Sequence, residues 1–346
     1  MPLPLRDFDY ELPADRIAQQ PLARRDASRL LHVAAGGSLS DRTFTDLPAL
    51  LQRGDLVVAN ETRVRRARLL GTRADGGDAE LLVLRARDDG EYVCLVRPAR
   101  RLPPGSVVAI TSEFRAVIGQ PCGEHEGARA VRFESSVVDI ESALLLHGRA
   151  PLPPYIHHDI DEPERYQTLY ARGQPGSAAA PTAGLHFTPG VIDQLQARGV
   201  GWATVRLDIG AATFTPIRVD DVTQHVMHEE CFELPDATAT AIAMTRAAGG
   251  RIICAGTTTL RVLETQATEA GMVNAGSGST RLFVTPGYRF RVADALLTNF
   301  HQPRSSLLVL LAAFIGDRWR DAYQHALRAG YHFLSFGDCM LCWPPP

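Results

Sequence analysis

Between residue 55 and about residue 133 the chain breaks into short apolar stretches at close, even spacing, and this restricts the fold more than any other feature. Candidate strands fall at 55–60, 67–72, 79–85, 91–97, 106–111 and 128–133, separated by Asp75-Gly76-Gly77, Asp88-Asp89-Gly90 and Pro103-Pro104-Gly105. Those triplets are turn formers, and many short strands so arranged predict a small β-barrel. Further along, the period changes. Thr188-Pro189 reads as an N-cap with proline at the first helical position, opening a helix to about residue 198 that Gly199 can end. A strand at 202–207, a helix at 236–248, a strand at 251–255, a helix at 258–270, a strand at 293–298 and helices at 305–314 and 318–329 follow. Strand–helix alternation of this kind predicts an α/β fold with a mostly parallel, helix-covered sheet. The expected organisation is an α/β catalytic domain from residues 1–60 and 150–346, with an inserted small β-barrel domain at 61–149. The proline-rich stretch 151–182 is too long for a simple connector.

Composition narrows the chemistry. Of 346 residues, 45% are hydrophobic and 22% charged, enough to build a core. No apolar run approaches the roughly 18 residues that cross a bilayer. The opening Met1-Pro2-Leu3-Pro4-Leu5-Arg6-Asp7 has no basic stretch followed by an apolar one. A cytoplasmic monomer with no membrane association is therefore expected. Six scattered cysteines do not form a disulfide framework. Cys339 and Cys342 alone have CxxC spacing, and a zinc site needs about four ligands, so no metal is expected and both are assigned to an apolar C-terminal strand. All 36 basic residues are arginine, which excludes catalysis through a lysine imine.

Five polar segments fall at or near strand-to-helix junctions, where open α/β sheets bind ligands. Pro181–Thr188 contains Thr182, Gly184, His186 and Phe187, small residues and a histidine just before a helix start. Asp208-Ile209-Gly210-Ala211-Ala212-Thr213-Phe214 follows a strand directly. His225-Val226-Met227-His228-Glu229-Glu230 sets imidazoles beside carboxylates, suited to acid–base work; its HxxH spacing lacks a third metal ligand. Gly256-Thr257-Thr258-Thr259-Leu260-Arg261 opens a helix and offers amides and hydroxyls to an anion, with Arg261 and Glu264 spaced to pair with each other. Thr298-Asn299-Phe300-His301 ends another strand, and Ser335-Phe336-Gly337-Asp338 comes late in the chain. Convergence of such segments on one edge of a sheet would make a single active site.

Arg63, Arg65, Arg66 and Arg68 crowd the start of the barrel. Residues 61–132 carry 13 arginines and 10 carboxylates, a local net of 13 − 10 = +3 against −3 for the whole chain. A local patch of this kind, with Arg63 and Arg65 on one face of an extended strand, could hold nucleic-acid phosphates.

With these segments in order, the chain resembles the S-adenosylmethionine:tRNA ribosyltransferase-isomerase family of queuosine biosynthesis. The matching stretches run from Asp7-Phe8-Asp9-Tyr10-Glu11-Leu12-Pro13 through 60–69, 151–156, 165–170, 180–188, 210–216, 225–230, 256–258 and 298–301 to 335–338. The resemblance implies the α/β domain with its inserted barrel. It also implies a reaction in which the ribosyl part of S-adenosylmethionine passes to 7-aminomethyl-7-deazaguanine at the wobble position of a tRNA anticodon. Rearrangement there gives epoxyqueuosine and releases adenine and methionine. No cofactor is implied beyond S-adenosylmethionine as co-substrate, and the partner is the anticodon stem-loop of tRNA. The roles expected on this basis are these. His186 or His228 takes the proton from the ribose 5′ carbon; Glu230 or His301 protonates departing adenine; Glu230 or Asp338 accepts the proton of the attacking amine. Thr257 and Thr258 seat the methionine carboxylate, and Phe187 and Phe214 stack on bases. Thr182, Gly184, Asp208, Gly210, Thr213, Gly256, Arg261, Thr298 and Asn299 complete the substrate site, and Arg63, Arg65, Arg66 and Arg68 meet tRNA. The chain departs from the family pattern at Asp208, usually histidine, at Ala212, usually glycine, and at Phe336, often tyrosine; Glu61 and Arg66 also differ. The alternatives are a divergent acceptor, a methyltransferase, which the lack of an early glycine-rich loop disfavours, and a non-catalytic tRNA-binding protein.

Overall fold

The structure, a computed structural model, describes residues 2–123, 127–136, 138–160, 162–210 and 217–346. Two compact units emerge, one from Met1–Arg63 with Pro153–Pro346 and one from Val64–Leu152. The first begins with β1 (Arg29–Val33), β2 (Leu39–Thr43), α1 (Leu47–Leu50) and β3 (Leu56–Asn60). The second holds β4 (Arg68–Arg73), β5 (Asp78–Ala86), β6 (Tyr92–Arg97), β7 (Val107–Ala109), β8 (Phe114–Pro121), β9 (Ala128–Ser135) and α2 (Ile140–His147). The chain then returns to the first unit with α3 (Pro189–Ala197), β10 (Gly201–Leu207), β11 (Glu230–Leu234), α4 (Asp236–Ala247) and β12 (Ile252–Ala255). It finishes with α5 (Thr257–Thr265), β13 (Gly276–Thr280), β14 (Ala295–Asn299), α6 (Ser306–Ile315), α7 (Arg318–Ala329) and β15 (Cys339–Cys342).

The larger unit is built on a nine-stranded sheet in the order β13-β11-β10-β3-β12-β14-β15-β1-β2. Every residue of β3, β12, β14 and β15 is buried, the continuous apolar pattern of strands covered on both faces. Successive side chains point to opposite faces. Leu56, Val58, Cys254 and Leu296 join one core cluster, with Leu260, Leu308 and Trp319 from the helices; Val57, Ala59, Ile253 and Leu297 join another, with Leu47, Val191 and Leu195. Helices therefore cover both faces, as the sequence predicts. The sheet is mixed rather than mostly parallel. β10–β3, β3–β12, β12–β14 and β15–β1 are parallel, whereas β1–β2, β10–β11, β11–β13 and β14–β15 are antiparallel. The connections explain the difference. A parallel pair needs a long crossover, which residues 61–200 supply between β3 and β10. The helical hairpin α6–α7 returns the chain to the end at which β14 finishes, so β15 runs against β14. β13, Gly276-Ser277-Gly278-Ser279-Thr280, forms one edge and is exposed except at Thr280.

The smaller unit is a closed barrel in the order β4-β5-β6-β9-β8-β7 around Leu69, Leu81, Cys94, Val108, Phe114 and Val131. Strand 55–60, grouped by spacing with the barrel strands, is β3 and belongs to the large sheet. β8 escapes the sequence reading. Helix α2 is capped by Asp139, whose Oδ1 accepts from the Ser142 amide at 3.0 Å, and it packs Ala143 and Leu144 into the barrel core. Among the described residues no helix is long and apolar enough to cross a membrane.

Candidate active site

β12 and β14 run side by side, with Ala255 opposite Leu297 and the Gly256 amide donating to the Leu297 carbonyl at 2.8 Å. Their carboxyl ends therefore deliver Gly256-Thr257-Thr258 and Thr298-Asn299 to one place. Gly256 has φ +102°, a conformation that side chains resist, and it turns the chain straight from strand into helix α5. Asn60, at the end of β3, grips the Leu207 backbone through both side-chain atoms and donates to Thr258 Oγ1 at 3.2 Å. The carboxyl ends of three neighbouring parallel strands are thus tied beside the N-terminus of α5.

A cleft of about 1240 Å³, counting its open mouth, lies here. Of the residues expected from sequence, Thr182, His228, Glu230, Gly256, Thr257, Thr258, Arg261, Thr298, Asn299 and His301 line it. Glu230 is buried and holds Arg261 Nη1 through Oε2, while its Oε1 accepts the Gly210 amide at 2.9 Å. Arg261 also donates Nε to the Leu282 carbonyl at 3.1 Å, and its buried Nη2 has no partner among the described residues. Arg261 and Glu264 do not pair with each other, contrary to their helical spacing. Glu264 instead accepts the amides of Arg291, Val292 and Ala293. His301 bonds Thr298 Oγ1 through Nε2 at 2.9 Å, and burial pushes its pKa down to about 3, so the ring is neutral near pH 7. His225 also lines the cleft; burial, and then neighbouring His228, lower its pKa.

Other expectations need correction. His186 is not on the cleft wall. It is buried behind Asn299, with Nε2 3.2 Å from Asn299 Nδ2 and Nδ1 2.7 Å from Ser28 Oγ. Burial, with Arg25 nearby, lowers its pKa to about 4. Asp338 is absent from the cleft lining; its Oδ1 accepts the Arg29 amide at 2.7 Å and its Oδ2 the His332 amide at 2.8 Å, so it staples the chain beside β1. Burial nevertheless raises its pKa. Phe187 is fully buried, packed edge-on against Phe44 and Trp202, and cannot stack on a base. Gly184 serves packing, since a Cβ there would stand 2.2 Å from Tyr170 Oη. Asp208 pairs with Arg206 at 3.0 Å and accepts from Thr62 at 2.5 Å, away from the cleft lining. Gly210 donates its amide to Glu230. Thr213 and Phe214, like Ala212, lie outside the described residues.

The structure adds Tyr155 and Ser335 to the lining, their hydroxyls 2.7 Å apart; burial raises the tyrosine to about 12. In the sequence Tyr155 stands out by its place among prolines in 151–156, and Ser335 shares a segment with Asp338, whose carboxylate carries the more evident chemistry.

The arginines chosen for tRNA are largely engaged. In the larger unit Arg63 lies 3.8 Å from Glu164. In the barrel unit Arg65 is 2.8 Å from Glu141 and Arg68 2.9 Å from Glu80, and Arg66 donates to the Leu145 carbonyl at 3.5 Å. Arg63 and Arg65 precede β4, so strand alternation does not set their facing. The exposed barrel arginines include Arg97, Arg100 and Arg101, at and just after the end of β6.

With the geometry in place, comparison with known proteins is decisive. The family model described as Queuosine biosynthesis protein matches residues 5–342. The chain belongs to this family. A relative from Azoarcus sp., named S-adenosylmethionine:tRNA ribosyltransferase-isomerase, is 51% identical over 99% of this chain and 98% of its own. One of the same name from Thiobacillus denitrificans is 49% identical over 96% of each chain. A crystal structure of an S-adenosylmethionine tRNA ribosyltransferase from Thermotoga maritima is 34% identical, with a TM-score of 0.55, over 97% of this chain and 99% of that one. The family's α/β fold with an inserted barrel is therefore this chain's fold.

Proposed function

We propose that this queuosine-family enzyme transfers the ribosyl group of S-adenosylmethionine to 7-aminomethyl-7-deazaguanine in a tRNA anticodon and isomerises it to epoxyqueuosine. Adenine and methionine leave. The observation that carries the reading is a cleft in a chain of this family containing a buried guanidinium nitrogen, Arg261 Nη2, with no partner among the described residues. An unpaired buried donor of this kind costs free energy unless a ligand acceptor meets it. The methionine carboxylate is a suitable acceptor, and the amides and Thr257 hydroxyl at the start of α5 favour the same negative charge.

The sulfonium acidifies the adjacent ribose 5′ carbon, so a modest base suffices. His228 is exposed on the cleft lining and takes this role in place of buried His186. Neutral His301, oriented by Thr298, hydrogen-bonds the departing adenine, and Glu230 acts by holding Arg261. All these residues come from one chain, so one copy supplies the lining described. A cytoplasmic location accompanies a tRNA-modifying role. No metal or redox group enters the scheme.

The test is incubation with S-adenosylmethionine and an anticodon stem-loop carrying the aminomethyl base, followed by mass spectrometry of the RNA. The added ribosyl mass, with adenine and methionine released, is expected. S-adenosylhomocysteine and a methylated RNA would replace this reading with methyl transfer. His228→Ala should lower turnover at least ~100-fold, as loss of a general base does.

A further inference from the structure

Asn299 ends β14 with only 2% of its surface exposed, yet it lines the cleft. Its amide nitrogen points away toward three acceptors: the Leu334 carbonyl at 3.2 Å, the Asp338 carbonyl at 3.5 Å and His186 Nε2 at 3.2 Å. Carbonyl oxygens only accept, so the group facing them must be the NH2. His186 Nε2 must then be an unprotonated acceptor, with its proton on Nδ1 toward Ser28 Oγ, 2.7 Å away. That arrangement leaves Asn299 Oδ1, which is buried and has no partner among the described residues. A buried carbonyl without a donor calls for a ligand N–H.

The ladder indicates which N–H. The register ends at the Ala255–Leu297 pair, where β12 gives way through Gly256 to α5 while β14 runs on through Thr298 to Asn299, so the start of α5 and Asn299 leave adjacent strands at the same end. An amino acid bears its carboxylate and ammonium on one carbon, so their protein partners must stand side by side, as the ends of adjacent strands about 4.8 Å apart do. Thr257 begins the helix proposed above to seat the methionine carboxylate, with Arg261 one turn further on.

We infer that His186 is a positioning residue: it locks the Asn299 amide so that Oδ1 receives the α-ammonium of the methionine moiety of S-adenosylmethionine. This rests on the proposed substrate. His186 touches no reacting atom, and its contribution is to amino-acid recognition and not to proton abstraction. The low pKa of the buried ring agrees, because a protonated Nε2 would face the Asn299 NH2 donor to donor.

The experiment measures KM and kcat at saturating tRNA with S-adenosylmethionine and with its analogue bearing hydrogen in place of the α-amino group. His186→Phe keeps an aromatic ring beside Phe44 but removes the acceptor; KM should rise ~10-fold, the worth of a charge-assisted hydrogen bond, with kcat within ~3-fold. His186→Gln carries an acceptor at nearly the same reach and should restore KM to within ~3-fold. With the des-amino analogue, wild type and His186→Phe should have equal KM. Asn299→Ser provides the same comparison should the phenylalanine variant fail to fold. A kcat loss of ~100-fold at unchanged KM would make His186 a catalytic base and overturn the inference. A KM penalty of the same size with the des-amino analogue would also overturn it, while leaving the wider function intact. If wild type consumes no S-adenosylmethionine at all, the functional reading itself falls, and this inference with it.

Discussion

Arg261 and Glu230 are 5% and 7% exposed, and each is the other's charged partner. Removing one member of a buried pair leaves the other charge uncompensated, typically at a cost of ~3–5 kcal/mol, whereas replacing both with apolar side chains is often close to neutral. Arg261→Met alone should therefore lower stability by several kcal/mol. The double variant Glu230→Leu/Arg261→Met should recover most of that loss, short by ~1–3 kcal/mol for the Gly210 amide left without its acceptor. Both variants should be inactive. Denaturant melts with a turnover assay check this; a double variant no more stable than the single one would refute the pairing argument. The two buried histidines set a pH dependence. In the unfolded chain each titrates near 6.5, but in the fold they lie at about 4 (His186) and about 3 (His301). As pH falls through 6.5 the unfolded state gains protons that the folded state refuses. The stability from keeping these rings neutral is thus complete above about pH 6.5 and is lost as pH falls toward the folded values, at up to ~1.4 kcal/mol per pH unit for each ring. His186→Gln should flatten the pH dependence of the unfolding midpoint by about one proton; an unaltered slope would mean that ring contributes nothing.

Among the elements, α3 shows how much a few residues disclose. Thr188 and Pro189 predicted its start, and Thr188 Oγ1 accepts the Val191 amide at 3.3 Å. Thr188→Ala should cost ~0.5–2 kcal/mol without changing turnover, because α3 packs on the sheet face formed by Val57 and Ala59. Calorimetry beside an activity assay tests both halves. Helix α7 was equally legible, 318–329 in sequence and in structure, since its polar and apolar faces alternate clearly. Legibility fails where tertiary contacts override local pattern. The sequence is helix-compatible through residue 270, but α5 stops at Thr265, where Ala267 bridges Val273 and folds the chain back. β8 buries Phe114, Ala116 and Ile118 on alternate positions, yet Gly119 and Pro121 near its end resemble a turn. The cleft was readable as a set of junction segments. Which side chain in each segment faced inward was not: Asp338 and Phe187 carry suitable chemistry but are spent on backbone amides and on core packing. Nothing local to positions 186 and 299 could reveal that the histidine stands behind the asparagine.

At the scale of the molecule, charge matters more than any one contact. The barrel segment's excess of arginine is partly neutralised in pairs such as Arg65–Glu141 and Arg68–Glu80, leaving Arg100 and Arg101 exposed at a turn. Phosphate contacts release counterions, with a logarithmic salt slope of about −0.9 per contact on duplexes and about −0.7 on single strands. Arg100→Ser/Arg101→Ser should therefore weaken tRNA binding and reduce the salt slope by ~1.5. Arg65→Ser should mainly loosen the barrel. Titrations at several salt concentrations distinguish the two, and an unchanged slope in the double variant would exclude this turn from the RNA interface.

The large sheet ends at β13 and β2, and each end bears on how the protein behaves when crowded. An open margin of backbone donors and acceptors is a template on which another chain can polymerise. Here one margin is written in alternating glycine and serine, poor material for a sticky ribbon, and the other carries Asp41 and Arg42. The barrel, closed on itself, offers no margin at all. The defence against fibrous self-association is thus written into the least conspicuous strands of the sheet.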